Sequence, residues 1–399
     1  MKIGKTWGWL LLVTIVLSTI GDEISLITLM FRTASDRNTA AVPMLLVAQL
    51  LPGLLAAPVI GRLVDAYDAA RLLVVTAAAD ATIIAWMAWH PDLASTIGGA
   101  GILSMTFATG GAASFALIPV VAGGVGMTLS RANAVVEFVR SVGMLAGPVA
   151  GGVLVARSGA GNALLIDAAS FALLAIVALA SGIRRPAMTT QAGGTKALLS
   201  DYWQVLSNRR IGVVAAALAM GVYAAAIADV NFIFLVTGSL SAGPTAFGLL
   251  TACWAGGMMA GAAASGAFAM RHPAALAFGA AAMMGGMMLA IGIACLTETG
   301  DLVFVGSAFG IGGAANSVHN VAVRTILQNE APAGAHGKVA AIYGAATSSA
   351  STLGYMTGGL FVPDRVIAAY VVSGVLEIMA GLTGWLLFAA FGRRAPTVR

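Results

Sequence analysis

Long apolar stretches recur along almost the whole of this 399-residue chain. A helix that crosses the hydrocarbon core of a bilayer needs about 20 predominantly apolar residues. Hydrophobic residues make up 59% of the sequence and charged residues 9%, against about 25% charged in soluble domains. The sequence therefore predicts an all-α integral membrane protein with lipid as its main solvent. Twelve transmembrane helices are predicted near 7–31, 41–61, 71–89, 96–120, 132–155, 162–183, 211–236, 244–269, 273–296, 302–326, 338–362 and 366–391.

Lysine and arginine predict how these spans are oriented, because cytoplasmic loops carry an excess of both. With the N-terminus in the cytoplasm, seventeen of the 21 basic residues fall on the inner side, leaving Arg32, Arg37, Arg157 and Arg365 outside. We therefore expect a multi-pass protein of the bacterial cytoplasmic (inner) membrane with both termini cytoplasmic. The net charge of +5 then reflects membrane orientation, and no nucleic-acid partner is expected. We also expect a monomer.

A polar stretch divides the predicted spans into two sets of six. The predicted domains are an N-terminal six-helix bundle at 1–183, a cytoplasmic linker at 184–210 and a C-terminal six-helix bundle at 211–399. Six-span repeats in tandem are the architecture of alternating-access transporters, whose substrate site lies between the two repeats.

The two halves also match each other in sequence. A shift of 207 positions places Asp22 on Asp229 and Gly147 on Gly354. One shift thus superimposes an intramembrane acid and a glycine that lie more than 100 residues apart in each half. This predicts two pseudo-symmetric bundles.

Glycines recur every fourth residue in the predicted fifth span, at Gly143, Gly147 and Gly151, and Gly152 follows directly. Residues four apart share one helix face, and small residues there allow two helices to approach closely. Pro148 removes a backbone donor and bends a helix. The pattern indicates a conformational pivot or, alternatively, ordinary tight packing.

Two patterns in this sequence, the glycine pattern of the fifth span and a run between the second and third spans, resemble motifs of the major facilitator superfamily. The fifth-span pattern resembles the antiporter motif, which in that superfamily marks exporters. The run from Gly61 to Arg71 resembles its signature loop, although Ala66 and Asp68 stand where a basic residue and a glycine are usual. The resemblance implies that Asp65 contacts a neighbouring helix N-terminus and latches an inner gate, where the helix dipole stabilises a carboxylate.

Further segments resemble the exporter branch that includes macrolide-efflux and enterobactin-export proteins. They lie at 21–22, 131–134, 167–171 and 328–339. Many proton-coupled members of the superfamily carry an arginine in the fourth span, and this chain has none there. A proton relay would therefore use other residues.

Ionisable groups inside the spans are the candidate coupling residues. A charge at the bilayer centre costs about 2.5–3.5 kcal/mol on insertion scales, so ionisable residues are rare there and usually mark functional sites. Such groups face a partner or a water-filled cavity. Asp22 and Glu23 point roughly 100° apart on a helix and are not expected to face one cavity fully. Seven of the sixteen acidic residues lie in predicted spans: Asp22, Glu23, Asp80, Glu137, Asp167, Asp229 and Glu377.

These acids differ in their expected roles. Glu137 and Arg140 are three residues apart and therefore neighbours on one face, forming an internal ion pair or a proton-coupled gate. Asp80 is a cavity residue or takes part in a helix–helix hydrogen bond. Asp167 and Glu377 are expected to be structural.

A polar stripe in the predicted tenth span adds Asn316, His319 and Asn320, continued by Arg324. His319 is expected to pair with Asn316, three residues earlier, and histidine titrates near physiological pH. The stripe either lines the inner half of a cavity or packs against the eleventh span.

Several classes of function lack their sequence signals. The chain has no phosphate-binding Gly-x-x-x-x-Gly-Lys-Ser/Thr loop, zinc-ligand pattern or serine-triad context, so we expect neither an enzyme nor a cofactor or metal. The expected function is secondary active export of a small amphiphilic organic compound, drug-like or siderophore-like, by proton antiport and alternating access. The expected partners are this small-molecule substrate, protons and the lipid bilayer. A proton-coupled nutrient importer of the same fold is the alternative, and a membrane receptor or intramembrane enzyme is a further one.

Overall fold

The computed structural model describes residues 5–36, 38, 40–127, 129–184, 208–267, 272–330 and 336–391. Every regular element in these ranges is helical, and a π-helical turn at Leu235–Ser239 follows the sixth helix. The helices are α1 Lys5–Ala34, α2 Ala41–Ala66, α3 Ala69–Trp89, α4 Leu93–Val125, α5 Leu129–Ala180, α6 Arg209–Phe234, α7 Pro244–Ala267, α8 Pro273–Leu296, α9 Leu302–Glu330, α10 His336–Gly358 and α11 Val366–Phe391.

Helix α5 contains two of the predicted spans, which meet at Gly159. This glycine has φ +80° and ψ 165°, outside the helical region. A positive φ is accessible to glycine because it lacks a Cβ. The break falls between the predicted spans 132–155 and 162–183, so the described ranges contain twelve helical segments, as the sequence predicts.

Length and composition support a membrane location. Eight described helices are long and apolar enough to cross a bilayer, or nine if the bent α4 counts as one span. The two parts of α4 meet at 42° beside residue 115. This position lies four residues before Pro119, whose ring clashes with the carbonyl of the residue four positions earlier.

Large apolar side chains cover the outside of the helices. Leu55, Leu179, Val303 and Leu360 are each more than 70% exposed. An apolar surface of this kind is unfavourable in water and suits a hydrocarbon environment.

The described helices form two compact units. The first comprises Met1–Gln191 with Ala242–Ala252, and the second comprises Ala192–Ser241 with Cys253–Arg399. In the first unit α1 packs against α5, α3 against α4 and α5, and α2 against α4. In the second unit α11 packs against α6 and α8, α10 against α6, and α9 against α8. Of the predicted linker, residues 185–207 lie outside the described ranges.

Glycines allow a close and equivalent helix crossing in each unit. A Cβ at Gly151 of α5 would lie 3.1 Å from Ile24 Cα, and a Cβ at Gly358 of α10 would lie 3.1 Å from Ile227 Cα. The shift of 207 pairs Gly151 with Gly358, but it pairs Ile24 with Asn231. The crossing therefore recurs in the second unit with the partner contact displaced by one helical turn.

Candidate functional site

Three carboxyl groups meet inside the first unit, carried by α1, α3 and α5. Asp80 is 2% exposed and Asp167 is 0% exposed. Both lie within electrostatic range of Asp22. Burying charge is costly unless each group finds a partner, so the partners of these acids decide what the cluster can do.

Asp167 is fully engaged by its surroundings. Its carboxylate accepts hydrogen bonds from Ser25 Oγ and, at 3.2 Å, from Ser170 Oγ. Gly21 of α1 faces the carboxylate, and a Cβ there would overlap Asp167 Oδ1. The glycine thus leaves the space that the acid occupies, which agrees with the structural role expected for Asp167.

Asp80 and Asp22 line a cavity of about 220 Å³ bounded by α1, α3, α4 and the second segment of α5. Asp80 accepts a hydrogen bond from Thr106 Oγ1 on α4, so it faces a cavity and also links two helices. Phe107 and Phe171 complete the wall, and their rings stack with centroids 5.4 Å apart and planes at 15°. The cavity therefore combines carboxyl groups with an aromatic surface.

A second cavity, of about 200 Å³, lies between α1, α2 and α4. Asp22 and Phe107 line it as well, together with Glu23, Gln49 and Ser104. Asp22 and Glu23, which point roughly 100° apart on α1, both line this space because it runs along α1 beside both residues.

Asp22 is the acidic residue that lines both cavities. Its Oδ1 is buried and has no hydrogen-bond partner within the described part of the chain. An unsatisfied buried oxygen costs about 1–3 kcal/mol. A proton, or a hydrogen-bond donor of a bound molecule, would satisfy it.

Asp229 occupies a different setting. It belongs to α6 of the second unit and is exposed. It lies within electrostatic range of Glu377 on α11, which is 1% exposed. The sequence predicts a structural role for Glu377, and the structure places this acid deep between helices.

The polar stripe of α9 packs against α10, one of the two alternatives left open by the sequence. Asn320 donates to Asn316 Oδ1 at 3.0 Å, and the Tyr343 hydroxyl donates to Asn320 Oδ1 at 3.4 Å. The Arg324 guanidinium lies 5.9 Å from the Tyr343 ring centroid. The predicted pairing of His319 with Asn316 is wrong, because His319 Nδ1 lies 2.8 Å from the Ala277 carbonyl of α8.

The glycine face of α5 packs on α1 as its spacing predicts. A Cβ at Gly143 would lie 2.9 Å from Thr19 Cγ2, and a Cβ at Gly147 would overlap Glu23 Cβ. A second contact forms on another face of α5, where a Cβ added at a glycine would meet the backbone of α7. One at Gly152 would lie 3.0 Å from the Pro244 carbonyl carbon.

The same contact is reciprocal, although the sequence pattern shows only one side of it. A Cβ at Gly248 of α7 would lie 2.9 Å from the carbonyl carbon of Pro148. Residues of α7 and α5 in the first unit thus touch backbone to backbone. A glycine four residues after Pro244, where α7 starts, was the available sequence signal for this contact.

Asp68 caps the N-terminus of α3. Its Oδ1 accepts from Ala70 N at 2.9 Å and from Arg71 N at 3.4 Å, while the Arg71 side chain is exposed. An aspartate directly before the first helical residue, here Ala69, is the usual N-cap signal, which the signature-loop resemblance does not include. Gly61 and Asp65 lie in α2, and their side-chain positions fall outside the described set.

Glu137 and Arg140 both lie in the first segment of α5. Their side chains likewise fall outside the described set. Their pairing stays a prediction.

The comparisons with known proteins agree with this architecture. Residues 8–355 match the Major Facilitator Superfamily. The chain is 25% identical over 217 residues to proteins named "Multidrug efflux pump Tap" from Mycobacterium bovis and Mycobacterium tuberculosis. The match covers 51% of this chain and 52% of each relative, so the chain spans about half the length of the curated relatives it matches.

Solved structures share the fold along nearly the whole chain. The nucleoside transporter NupG superimposes with a TM-score of 0.74 at 13% identity, covering 98% of this chain and 100% of that one. A bacterial homologue of the iron transporter ferroportin gives 0.73 at 14% identity, covering 98% and 99%. A peptide transporter POT gives 0.75 at 10% identity, covering 97% and 95%. With the family match over most of its length and twelve helical segments in two units, this chain belongs to the major facilitator superfamily of transporters.

Proposed function

We propose that this transporter is a secondary active exporter of small amphiphilic organic compounds, drug-like or siderophore-like, and that proton antiport drives it by alternating access. The observation that carries the proposal is Asp22, whose buried Oδ1 has no partner among the described residues and which lines both cavities of the first unit. A carboxyl group in this position can bind either a proton or a donor group of the substrate. Competition between the two is the chemical basis of antiport.

The substrate chemistry follows from the wall of the larger cavity. The stacked rings of Phe107 and Phe171 offer an apolar face, and Asp22 and Asp80 offer acceptors. A compound with an apolar body and a hydrogen-bond donor matches both.

Two observations support export. The similarity to the Tap proteins, which are named multidrug efflux pumps, points outward. The Gly143–Gly152 pattern resembles the antiporter motif, and its glycines lie at backbone contacts with α1 and α7. The fold itself is shared with transporters of nucleosides and of peptides, so it leaves direction to experiment.

The wider proposal keeps the arrangement expected from the sequence. The chain resides as a monomer in the bacterial cytoplasmic membrane with both termini inside, and a linker at 184–210 joins the bundles 1–183 and 211–399. Glu23, and Glu137 with Arg140, join Asp22 in coupling. Asn316, His319 and Asn320 lie along a further polar surface of the second bundle. The glycines and proline of α5 act as a pivot, while Gly61, Asp65 and Arg71 latch the inner gate.

Transport in proteoliposomes tests the proposal. Wild type should move an amphiphilic dye against its gradient when a pH gradient is imposed. Asp22→Asn should abolish this pH-driven movement and retain dye–dye exchange, because the neutral side chain still binds substrate. Glu298→Gln, at an exposed loop position, is the matched control.

If Asp22→Asn moves the dye at the wild-type rate under a pH gradient, the proposed coupling mechanism is refuted. Uptake by whole cells, in place of extrusion, would decide for the importer.

A further inference from the structure

Glu377 lies deep inside the second unit, and one of its carboxylate oxygens has no hydrogen-bond partner among the described residues. It is 1% exposed, and its buried Oε2 accepts no hydrogen bond from the described residues. Ser373, one turn earlier on the same face of α11, is 0% exposed, and its Oγ is also unpartnered there. Buried polar side chains are nearly always hydrogen-bonded, so two adjacent exceptions point to a bound species.

Helices α6 and α8 both pack closely against α11 near Glu377. A Cβ at Gly221 of α6 would lie 3.6 Å from Glu377 Oε1, so the carboxyl group rests against the α6 backbone. A Cβ at Gly374, three residues before Glu377 on α11, would lie 2.5 Å from Leu289 N of α8. The carboxyl group therefore lies where α11 packs closely on its neighbours, and a proton is the smallest species that could satisfy it.

The surrounding charges favour a positive species at this point. Asp229 of α6 is exposed, and its carboxylate lies within electrostatic range of Glu377. Arg210 of α6 is engaged by Glu330 at 2.6 Å, and Arg209 lies over the Phe391 ring at 5.4 Å. The other described titratable groups on α11 and on the helices packed against it are Tyr370 on α11, Tyr223 on α6 and Cys295 on α8, with His272 directly before α8. Tyr355 of α10 lies within electrostatic range of Asp229.

We propose that Glu377 is a proton-binding site of the second unit and that Asp229 exchanges its proton with the surroundings. Protonation converts the carboxylate to a neutral carboxylic acid, which a buried apolar site tolerates better than a charge. The buried position is then uncharged, which removes the repulsion from Asp229. The use of this proton in transport rests on the proposed antiport, whereas the existence of the site does not.

Infrared spectroscopy of the full-length protein in lipid bilayers tests the site directly. At neutral pH, the spectrum of wild type minus Glu377→Gln should contain the carbonyl stretch of one protonated carboxylic acid. The matched variant Glu298→Gln, at an exposed loop position, should leave that band in place. Ser373→Ala should shift the band without removing it, and this reports on the site even if Glu377→Gln fails to fold.

Two results would overturn the proposal. One is a difference spectrum that contains only the bands of an ionised carboxylate. The other is a band that disappears when sodium chloride replaces choline chloride at constant pH, which would assign the site to a metal cation.

The role of Asp229 and the link to transport have separate readouts. After a pH jump, Asp229→Asn should slow the appearance of the Glu377 band and leave its final size unchanged. In proteoliposomes, the Glu377→Gln variant should move fewer protons across the membrane for each substrate molecule transported than the Glu298→Gln variant does. A normal Glu377 band in a protein without proton antiport would defeat the proposed function alone, and antiport without the band would defeat this site alone.

Discussion

The contact between Gly21 and Asp167 allows a sharp test of how the acid cluster is packed. In Gly21→Ala, the new methyl group would overlap Asp167 Oδ1 and would lie 2.8 Å from Ser170 Oγ. The carboxylate cannot retreat into solvent, because Asp167 is 0% exposed and holds the hydroxyl of Ser25. The substitution must therefore strain the contact or break the hydrogen bond.

The magnitude follows from three contributions. Forcing an extra methyl group into a packed interior costs about 1–3 kcal/mol. Leaving the buried partner of a broken hydrogen bond unsatisfied costs about 1–3 kcal/mol. Alanine regains about 1 kcal/mol over glycine in a helix interior. The expected net loss for Gly21→Ala is about 3 kcal/mol.

Thermal unfolding of the purified protein, followed by intrinsic tryptophan fluorescence, provides the measurement. Gly98→Ala is the matched control, because a Cβ there meets no atom within 4 Å, and it should leave the midpoint unchanged or raise it. In an Asp167→Ala background the cost of Gly21→Ala should largely vanish, since the opposing carboxylate is gone. A midpoint for Gly21→Ala equal to that of Gly98→Ala, or an undiminished cost in the Asp167→Ala background, would refute the reasoning.

Three further predictions concern other parts of the fold. Gly257→Ala should lower the unfolding midpoint by forcing α7 from α9, at a cost of about 1–3 kcal/mol, while its neighbour Gly256→Ala, with no atom within 4 Å of the added Cβ, should not. Glu330→Gln should cost only about 0–1 kcal/mol in the same assay, because its ion pair with Arg210 is partly exposed, and added salt should shrink the difference further. Hydrogen bonding from the first turn of α4 lowers the pKa of Asp92, so its contribution to stability is present at neutral pH and disappears as the pH falls through that lowered value. Asp92→Asn, which keeps a cap, should therefore flatten the acid limb of the midpoint–pH curve, and an unchanged limb would contradict this assignment.

Much of the fold could be predicted because lipid imposes simple rules. Helix number followed from apolar length, since each span needs about 20 residues. The break in α5 followed from the polar and glycine residues around Gly159. The close approach of α5 to α1 followed from glycines four residues apart, which share a face whatever their partner is.

The partners of each side chain were harder to predict, because they depend on which helix lies opposite. Asp22 and Asp167 are alike in sequence, both acids in apolar spans. Ser25 and Ser170 donate hydrogen bonds to the Asp167 carboxylate, whereas Oδ1 of Asp22 accepts none from the described residues. Asp22 lines two cavities in place of such a contact. His319 contacts the Ala277 carbonyl on α8 and not Asn316, which is nearer in sequence. Tertiary packing places that carbonyl 2.8 Å from His319 Nδ1.

By itself, the sequence determined that the chain spans a membrane repeatedly, that it repeats in two halves, and that its spans carry acids needing partners. These properties depend on composition and local periodicity, which no tertiary contact can change. Only the tertiary structure decided that Asp22 lines two cavities, one with Asp80 and one with Glu23, and that Glu377 lies buried near Gly221 with its Oε2 unsatisfied by the described residues. The physical reason is that a buried acid is defined by the groups within a few ångströms, and those groups come from helices distant in sequence.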